Sequence, residues 1–311
     1  QAMSDIDPIE NCRILVAGAC GQVGRPVVAH LARNNEVFAL ARYTKSEDEE
    51  LVRAAGAIPV KADLGAATLP DLPGNLDYAF NYAVVRSGEF AYDLAANAEG
   101  AGRLMMACRD VTAFVHCSST AVYAYGGHTP RAEDAPLGDN HRAMFPTYSI
   151  SKIAAETVVR FVARQEGIPT TIARLSVPYG NHGGWPYYHL LMMQAGVPID
   201  IHPEQPNSYN LLHEIDHNDK LPALCQIASP DATTLNFGGS ESTSIEEWTD
   251  WLSELTGLEA RLKEEAGAFG SLAIDPTRMH QLIGPTTVGW RCGIHDMLRS
   301  LAPDLLKPEY R

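Results

Sequence analysis

Residues 13–31 contain the feature that most constrains how this chain can fold. The apolar segment 14–17 lacks the alternation of polar and apolar residues that marks a strand with one wet face, which predicts a buried parallel strand. Gly18, Gly21 and Gly24 follow before a helical pattern begins. Glycine allows a sharp turn out of a strand and a close approach of backbone to a diphosphate, and N–H groups at a helix start favour phosphate charge. The stretch predicts a dinucleotide-binding turn; an ordinary strand–turn–helix with incidental glycines is the alternative.

The alternation of strand and helix continues along the chain. Further strands are predicted at 36–42, 57–61, 77–83, 112–118, 170–175 and 234–238, and helices at 25–33, 48–55, 90–109 and 148–165. This pattern predicts an α/β fold, a Rossmann-type doubly wound parallel sheet with a smaller C-terminal substrate-binding lobe. We expect the NAD(P)-binding domain to cover 11–178 and the strand near 234–239. The lobe should consist mostly of 179–232 and 240–311.

The charge of the chain limits its partners. Its 311 residues carry a formal net charge of -14, which argues against a nucleic-acid or anionic membrane surface, since both need clustered Lys and Arg. No run approaches the ~20 apolar residues of a membrane helix, and no signal-peptide pattern is found. The six cysteines form no CxxC pair, which is typical of reduced thiols in a cytoplasmic protein. We expect a cytoplasmic protein with a small-molecule substrate and with neither nucleic acid nor membrane as partner.

The end of the second predicted strand bears on the choice of cofactor. In a dinucleotide fold an acidic residue there binds the 2′-hydroxyl of NAD, whereas an Arg accommodates the 2′-phosphate of NADP. Here the acidic position holds Ala41, Arg42 follows, and Lys45 is close behind. These residues favour NADP; with NAD, the alternative, Arg42 would stack on adenine or be solvated. After the third strand, Asp63 either bonds the adenine edge or caps the next turn.

Two polar side chains share one face of the helix predicted at 148–165. Tyr148 and Lys152 are four residues apart and can therefore point at one site. A nearby ammonium favours the phenolate form of a tyrosine, which gives a group able to exchange a proton with an alcohol or a carbonyl. Ser119 and Thr120 follow the fifth strand at the edge where open parallel sheets bind ligands, and either could hold the same oxygen. Tyr-x-x-x-Lys alone occurs by chance in many helices, but here it accompanies the glycine turn and a parallel sheet.

Taken together, these motifs resemble an extended short-chain dehydrogenase/reductase of the NAD-dependent epimerase/dehydratase family. The resemblance runs nearly from end to end of the chain, although each motif alone is weak. The matching segments are Gly18-Ala-Cys-Gly21-Gln-Val-Gly24, Ala62-Asp63-Leu64, Asn97-Ala-Glu-Gly100, Ser118-Ser119-Thr-Ala-Val-Tyr123, Tyr148-Ser-Ile-Ser-Lys152, Ala173-Arg-Leu-Ser-Val-Pro178-Tyr-Gly180 and Leu235-Asn-Phe-Gly-Gly239.

The resemblance implies an enzyme that uses a nicotinamide cofactor. Tyr148 would be the general acid/base, Lys152 would act on that tyrosine and hold the nicotinamide ribose, and Ser119 would hydrogen-bond the substrate oxygen. Pro178 would lie near the nicotinamide. The complete set of expected cofactor-binding residues is Gly18, Gly21, Gln22, Val23, Gly24, Arg42, Asp63, Leu64, Ala83, Lys152 and Pro178.

The chain departs from the family pattern at three places. Sugar-nucleotide members carry an Arg before a His-x-x-Asp-like segment, where it binds the diphosphate, whereas residues 208–216 contain none. Epimerase-type members favour an acidic end to strand two, which is Ala41 here. Dehydratase-type members place an Asp-Glu pair where this chain has Thr120 and Ala121, so a 4,6-dehydratase is not expected.

The residues expected to face the substrate are mostly apolar or aromatic. The candidates are Val84, Val85, Arg86, Thr120, Tyr123, Trp185, Tyr187, Tyr188 and His189, of which Val85, Arg86, Thr120, Trp185 and Tyr187 form the expected substrate site. These residues suit a substrate with an apolar or ring-shaped body better than a sugar diphosphate. For Trp185 and Tyr187, packing of the lobe interface is an equally good alternative to contact with substrate. His182, His189 and His213 have spacings that fit no metal site, and we expect no metal.

Three functions are compatible with these residues. The preferred one is an NAD(P)(H)-dependent oxidoreductase that interconverts a secondary alcohol and a ketone or aldehyde, and a sugar-nucleotide epimerase is the alternative. A catalytically silent cofactor sensor is the third; the intact Ser119, Tyr148 and Lys152 argue against it.

The resemblance also implies a homodimer built from two helices of each subunit. Relatives pair the helix of the Tyr-x-x-x-Lys motif and the helix before strand five, which here are 148–165 and 93–109. Their apolar positions are too many for one buried stripe. These positions are Leu104, Met105, Ile153, Val158, Val159 and Phe161.

Overall fold

The computed structural model describes residues 6–311, and its strands are bounded as follows. They are β1 (Arg13–Ala17), β2 (Glu36–Ala41), β3 (Ile58–Lys61), β4 (Tyr78–Asn81), β5 (Ala113–Ser119), β6 (Thr170–Leu175), β7 (Pro178–Gly180), β8 (Gly183–Gly184), β9 (Ile199–Ile201), β10 (Ser208–Tyr209), β11 (Leu212–His213), β12 (Thr233–Phe237), β13 (Thr243–Ser244) and β14 (Leu262–Glu264). Seven of them form one sheet in the order β12-β6-β5-β4-β1-β2-β3. All neighbouring pairs in it are parallel, so the predicted doubly wound α/β fold is confirmed.

The helices alternate with these strands as the sequence pattern predicted. They are α1 (Gly24–Leu31), α2 (Ser46–Ala54), α3 (Phe90–Leu94), α4 (Gly100–Ala107), α5 (Tyr148–Glu166), α6 (Trp185–Ala195), α7 (Glu214–Asp219), α8 (Leu221–Gln226), α9 (Ile245–Thr256), α10 (Thr277–Ile283) and α11 (Trp290–Leu301). The helix predicted at 90–109 is divided by a π-helical segment, Ala95–Glu99. A 3-10 turn, Thr120–Val122, follows β5. In the part of the chain described here, no helix combines the length and apolar composition needed to cross a membrane.

Both faces of the large sheet are covered by helices. Successive side chains of a strand point to opposite faces, so Leu15 packs with Leu104 of α4 and Val159 of α5. The next residue, Val16, instead packs in a second core with Val27 of α1. This two-sided burial explains why the strands are continuously apolar.

The long helix α5 lies close against α4. A Cβ added to Gly102 of α4 would lie 2.7 Å from Cγ1 of Val158, so glycine is what permits this separation. The helix ends at Gly167, whose φ of +69° makes a left-handed cap. Because α5 begins at Tyr148, this packing determines where that residue lies relative to the sheet.

A third core lies among the elements that follow β6. Trp248 of α9 is fully buried there with Leu190 of α6 and Ile294 of α11. Part of the same sequence region packs elsewhere, because Leu221 of α8 joins the core beneath the large sheet. The division into 11–178 and the lobe segments 179–232 and 240–311 stays a prediction.

Candidate active site

The turn directly after β1 is closely packed on backbone, and two of its glycines have no space for a side chain. Gly18 has a φ of +76°, and a Cβ there would lie 2.4 Å from the backbone nitrogen of Ala83. A Cβ on Gly24 would lie 2.1 Å from the carbonyl oxygen of Gly18. Helix α1 begins at Gly24; the N–H of Arg25 donates to the carbonyl oxygen of Gly21 at 3.0 Å, and Pro26 has no N–H. A buried strand, a turn whose glycines allow this close backbone packing and a helix that follows directly form the arrangement that binds a dinucleotide diphosphate in folds of this kind.

The glycine turn is hydrogen-bonded to β7, the strand that follows β6. Nε2 of Gln22 donates to the carbonyl oxygen of Pro178 at 3.0 Å. Val177, just before Pro178, has a φ of +29°, a strained backbone conformation for a β-branched residue. Gln22 and Pro178, both expected to bind the cofactor, therefore lie together, although they are 156 positions apart.

A tyrosine that sequence reasoning missed connects the two residues expected at the adenosine end. Tyr92 Oη donates to Asp63 Oδ2 at 3.2 Å, and Arg42 Nη1 donates to the same hydroxyl at 3.3 Å. Asp63 Oδ1 also accepts from the N–H of Gly65, which is the turn contact considered as its alternative role. Leu64 is buried. Tyr92 lies on α3, 29 positions after Asp63 and 50 after Arg42, so no local sequence pattern indicated that it would contact them.

The three expected catalytic residues lie around the carboxyl end of β5. Tyr148 is the first residue of α5, and Lys152 lies one helical turn later and is almost fully buried. Lys152 Nζ donates to the carbonyl oxygen of Cys117 at 2.9 Å. Ser119 ends β5 and its Oγ accepts from the N–H of Ala121, while Thr120 begins the following 3-10 turn. Lys152 therefore contacts β5 two residues before Ser119, and Tyr148 lies one helical turn before Lys152 on α5.

A buried histidine lies behind the lysine. Burial and the charge of Lys152 lower the pKa of His116 to about 3, so its imidazole is neutral near pH 7. Its Nδ1 lies 3.4 Å from Nδ2 of Asn81, which can only donate. Oδ1 of Asn81 in turn accepts from the N–H of Ala83. These contacts tie the ends of β4 and β5 together.

A buried ion pair fixes α5 one turn below Lys152. Glu156 accepts a hydrogen bond from Ser118 at 2.6 Å and two from the guanidinium of Arg174, each at 2.9 Å. Burial raises the pKa of Glu156, but the hydrogen bonds and charge of Arg174, the Ser118 bond and the charge of Arg160 outweigh burial and lower it. Sequence analysis missed Glu156, although its four-residue spacing from Lys152 places both on one helix face.

Aromatic rings and one guanidinium surround Tyr148 on the outer side. The guanidinium carbon of Arg86 lies 4.7 Å from the ring centre of Phe145 and 5.7 Å from that of Tyr148. His141 is 5.7 Å from Tyr148, and it stacks on Phe269 at 4.2 Å between centroids. Arg86 was expected here; His141, Phe145 and Phe269 come from loops without periodic pattern and were not.

Three of the other residues expected to face the substrate have different surroundings. Val85 is tied by its backbone to Asn97, whose side chain accepts from the Val85 N–H and donates to its carbonyl. Trp185 packs on Tyr209 and lies 6.0 Å from Phe269, which connects it to the rings near Tyr148. Tyr187 packs against the third core.

The histidines singled out in the sequence have separate partners. His182 pairs with Glu214 at 3.0 Å, His189 accepts from Trp248, and His213 caps α7. Within residues 6–311, no three His, Cys, Asp or Glu side chains form a group that could hold a metal ion.

Fold and glycine turn together define a dinucleotide-binding α/β protein. The chain belongs to the NAD-dependent epimerase/dehydratase family, whose sequence profile matches residues 14–192, more than half of its length. The resemblance stated from the motifs is thereby confirmed, and with it that the chain is an enzyme of the short-chain dehydrogenase/reductase superfamily.

Solved structures with the same fold include several sugar-nucleotide enzymes. UDP-glucuronic acid 4-epimerase from Bacillus cereus, in complex with UDP-glucuronic acid and NAD, has a TM-score of 0.79 at 19% identity, covering 93% of this chain and 98% of that one. UDP-N-acetylglucosamine 4-epimerase from Methanobrevibacter ruminantium has a TM-score of 0.81 at 16% identity, with coverage of 95% and 100%. dTDP-glucose 4,6-dehydratase from Bacillus anthracis, in complex with NAD, has a TM-score of 0.77 at 17% identity, with coverage of 96% and 98%. A comparison with curated proteins found no match.

Proposed function

We propose that the protein is an NAD(P)(H)-dependent oxidoreductase that interconverts a secondary alcohol and a ketone or aldehyde. The observation that carries this proposal is the hydrogen bond from Lys152 of α5 to Cys117 of β5, one helical turn after Tyr148. Ser119 is two residues further along the same strand. A hydroxyl, a phenol and an ammonium gathered at one sheet edge suit proton exchange at an alcohol oxygen.

Each of the three side chains has a separate task in this proposal. Ser119 holds the substrate oxygen, and Tyr148 passes a proton to or from it. Lys152 stabilises negative charge on the Tyr148 oxygen and holds the nicotinamide ribose. The nicotinamide, when bound, supplies or accepts the hydride. The cofactor would lie along the expected residues from the glycine turn to Pro178.

The charge of the substrate lobe favours this function over a sugar-nucleotide epimerase. Residues 179–232 and 240–311 contain 18 acidic and 8 basic residues, so they carry most of the negative charge of the chain. A nucleoside diphosphate needs cationic partners. In residues 208–216, which lack an arginine, Tyr209 is buried and its hydroxyl donates to the carbonyl oxygen of Gly270 at 2.6 Å. An uncharged or singly charged substrate with an apolar body suits this surface better.

An epimerase is the second candidate, because the solved structures of the same fold include sugar-nucleotide epimerases. One experiment separates the two functions. The protein is incubated with oxidised cofactor and either a panel of secondary alcohols or UDP-glucose, and the absorbance of reduced nicotinamide is followed. An oxidoreductase accumulates reduced cofactor with an alcohol. Epimerised UDP-sugar without accumulation of reduced cofactor would replace our proposal with the alternative.

We propose NADP as the preferred cofactor, with NAD as the alternative. Arg42→Ala should weaken NADP(H) binding by about ten- to hundred-fold, because a charge-assisted contact to the 2′-phosphate is lost, and should leave NAD(H) binding unchanged. Titration of both cofactors against each protein measures this. Arg53→Ala on α2 is the control, since Arg53 pairs with Glu49 on the helix surface. Equal affinity of the wild type for NAD and NADP would contradict the preference.

We also propose a homodimer through α4 and α5, with a corrected set of contact residues. Leu104, Met105 and Val159 are fully buried in the core of their own chain and cannot contact a partner. The apolar side chains left exposed on these helices are Met106, Ile150 and Phe161, of which Phe161 is 66% exposed.

Light scattering should accordingly give about twice the 33.8 kDa mass of one chain. Phe161→Glu should shift the protein to single chains, because it places a charge in the apolar contact. Leu51→Glu, at a residue that is 52% exposed on α2, should leave the dimer intact. Wild-type particles of one chain mass at micromolar concentration would refute the dimer.

A cytoplasmic location is part of the same proposal. It is supported by the cysteines, all six of which are free thiols in the structure.

A further inference from the structure

Arg86 places a positive charge over the outer side of Tyr148. It lies in the loop after β4, is exposed, and has its guanidinium against the rings of Phe145 and Tyr148. For the residues described, the structure contains no ion pair or hydrogen bond between this guanidinium and a protein carboxylate. Arg86 is thus a cation without an anionic partner, in a chain that has more acidic than basic residues.

The loop that carries Arg86 is anchored on both sides of this residue. Asn97 binds both backbone groups of Val85, and its side chain also donates to Ser151 of α5. On the other side, Asp93 accepts from the N–H groups of Ser87 and Gly88.

The same two anchoring residues reach the start of α5. Oδ2 of the buried Asp93 accepts from Oγ1 of Thr147 at 2.6 Å, and Thr147 directly precedes Tyr148. Asn97 binds α5 one turn later, at Ser151. Because Asp93 and Asn97 bind both segments, the position of Arg86 is fixed relative to Tyr148.

Of the side chains in contact with the Tyr148 ring on this side, two are aromatic rings without charge and the third is the guanidinium of Arg86. His141 packs on Tyr148, and burial together with the charge of Arg86 lowers its pKa to about 4, so it is neutral near pH 7. Phe145 and Phe269 are apolar. Arg86 is therefore the cation in contact with the Tyr148 ring, whereas the ammonium of Lys152 donates to the backbone of Cys117.

We propose that the substrate carries a single carboxylate a few bonds from its reacting carbon, and that Arg86 binds this carboxylate while Tyr148 and Ser119 bind the alcohol or carbonyl oxygen. The substrate class is an apolar hydroxy acid or keto acid, with its body against Phe145 and Phe269. A guanidinium binds a carboxylate through two parallel hydrogen bonds, which also orients the molecule. This inference rests on the proposed oxidoreductase function.

A binding experiment tests the inference without turnover. Phenylacetate and phenylacetamide have the same shape but differ in charge, and each is titrated calorimetrically into cofactor-saturated protein. The wild type should bind phenylacetate about ten- to hundred-fold more tightly than the amide. Arg86→Gln should remove this preference and leave amide binding unchanged. Arg142→Gln is the control: Arg142 is an exposed arginine next to His141, and its replacement should leave the preference for phenylacetate intact.

A turnover experiment separates failure of the inference from failure of the proposed function. Oxidation of 3-hydroxy-3-phenylpropionate is compared with that of its methyl ester by the absorbance of reduced nicotinamide. The acid should be preferred by wild type, and Arg86→Gln should slow only the acid. Equal binding of phenylacetate and its amide, or a preference that survives in Arg86→Gln, overturns the inference. If neither compound is oxidised although the carboxylate preference in binding depends on Arg86, the oxidoreductase proposal is what fails.

Discussion

Tyr148→Phe should lower turnover by about 10²–10⁴-fold, the usual contribution of a positioned proton donor. The substitution removes only the phenol oxygen, so the ring contacts with His141 and Phe145 remain. Affinity for the cofactor should stay close to that of the wild type. Initial rates and cofactor titrations on the purified variant measure both quantities.

Two further variants serve as controls for the Tyr148→Phe measurement. Tyr310→Phe, at a tyrosine near the C-terminus whose hydroxyl donates to Glu254 at 2.9 Å, should keep full activity. Lys152→Ala should reduce both turnover and cofactor affinity, because the lysine is proposed to hold the ribose as well. A Tyr148→Phe enzyme that retains most of its activity would show that the proton travels by another route.

Glu156→Gln should lower the free energy of unfolding by about 3–5 kcal/mol, because it leaves the buried guanidinium of Arg174 without its counter-charge. Urea unfolding followed by circular dichroism measures the change. Glu99→Gln is the matched control: Glu99 is 66% exposed and pairs with Arg103 four residues away, and its loss should cost no more than about 1 kcal/mol. Equal effects of the two substitutions would show that the buried pair does not stabilise the fold.

The same pair predicts how stability depends on pH. The pKa of Glu156 is lowered in the folded chain, so its contribution is fully present above the pKa of an unfolded glutamate. It is lost as the pH falls through the lowered pKa of the folded state. Glutamine does not titrate. The difference in free energy of unfolding between the wild type and Glu156→Gln should therefore become smaller at acidic pH.

Local patterns were sufficient to predict the fold class and the elements that carry the candidate site. The glycine turn and the Tyr148–Lys152 spacing are properties of short segments, whose geometry depends on neighbouring residues. The strand at 170–175 was predicted with the bounds that the structure has. Conversely, the dimer residues were chosen by apolar character alone, which cannot tell the core face of α4 from its outer face; Met105 is buried and Met106 is exposed.

Contacts between distant segments explain what the sequence could not predict. Asp93 and Thr147 are 54 positions apart, and nothing in either segment indicates the other. The aromatic residues near Tyr148 belong to loops, where the positions of side chains follow no period. Their arrangement depends on how three separate segments meet, which only the folded chain determines.

The two segments on either side of the proposed substrate site, the loop with Arg86 and residues 262–269, differ in how firmly they are held by the rest of the chain. Asp93 and Asn97 bind that loop to the helix of Tyr148 through buried side chains, so a substitution of either of these two residues should displace Tyr148. Phe269 instead lies at the end of a mostly exposed segment, 262–269, outside the large sheet. Substitutions in 262–268 should change the surface next to Phe269 and leave the hydrogen bonds of Asp93 and Asn97 to α5 intact. Under the proposed function, the fit of the substrate body can therefore be engineered separately from the proposed proton transfer at Tyr148.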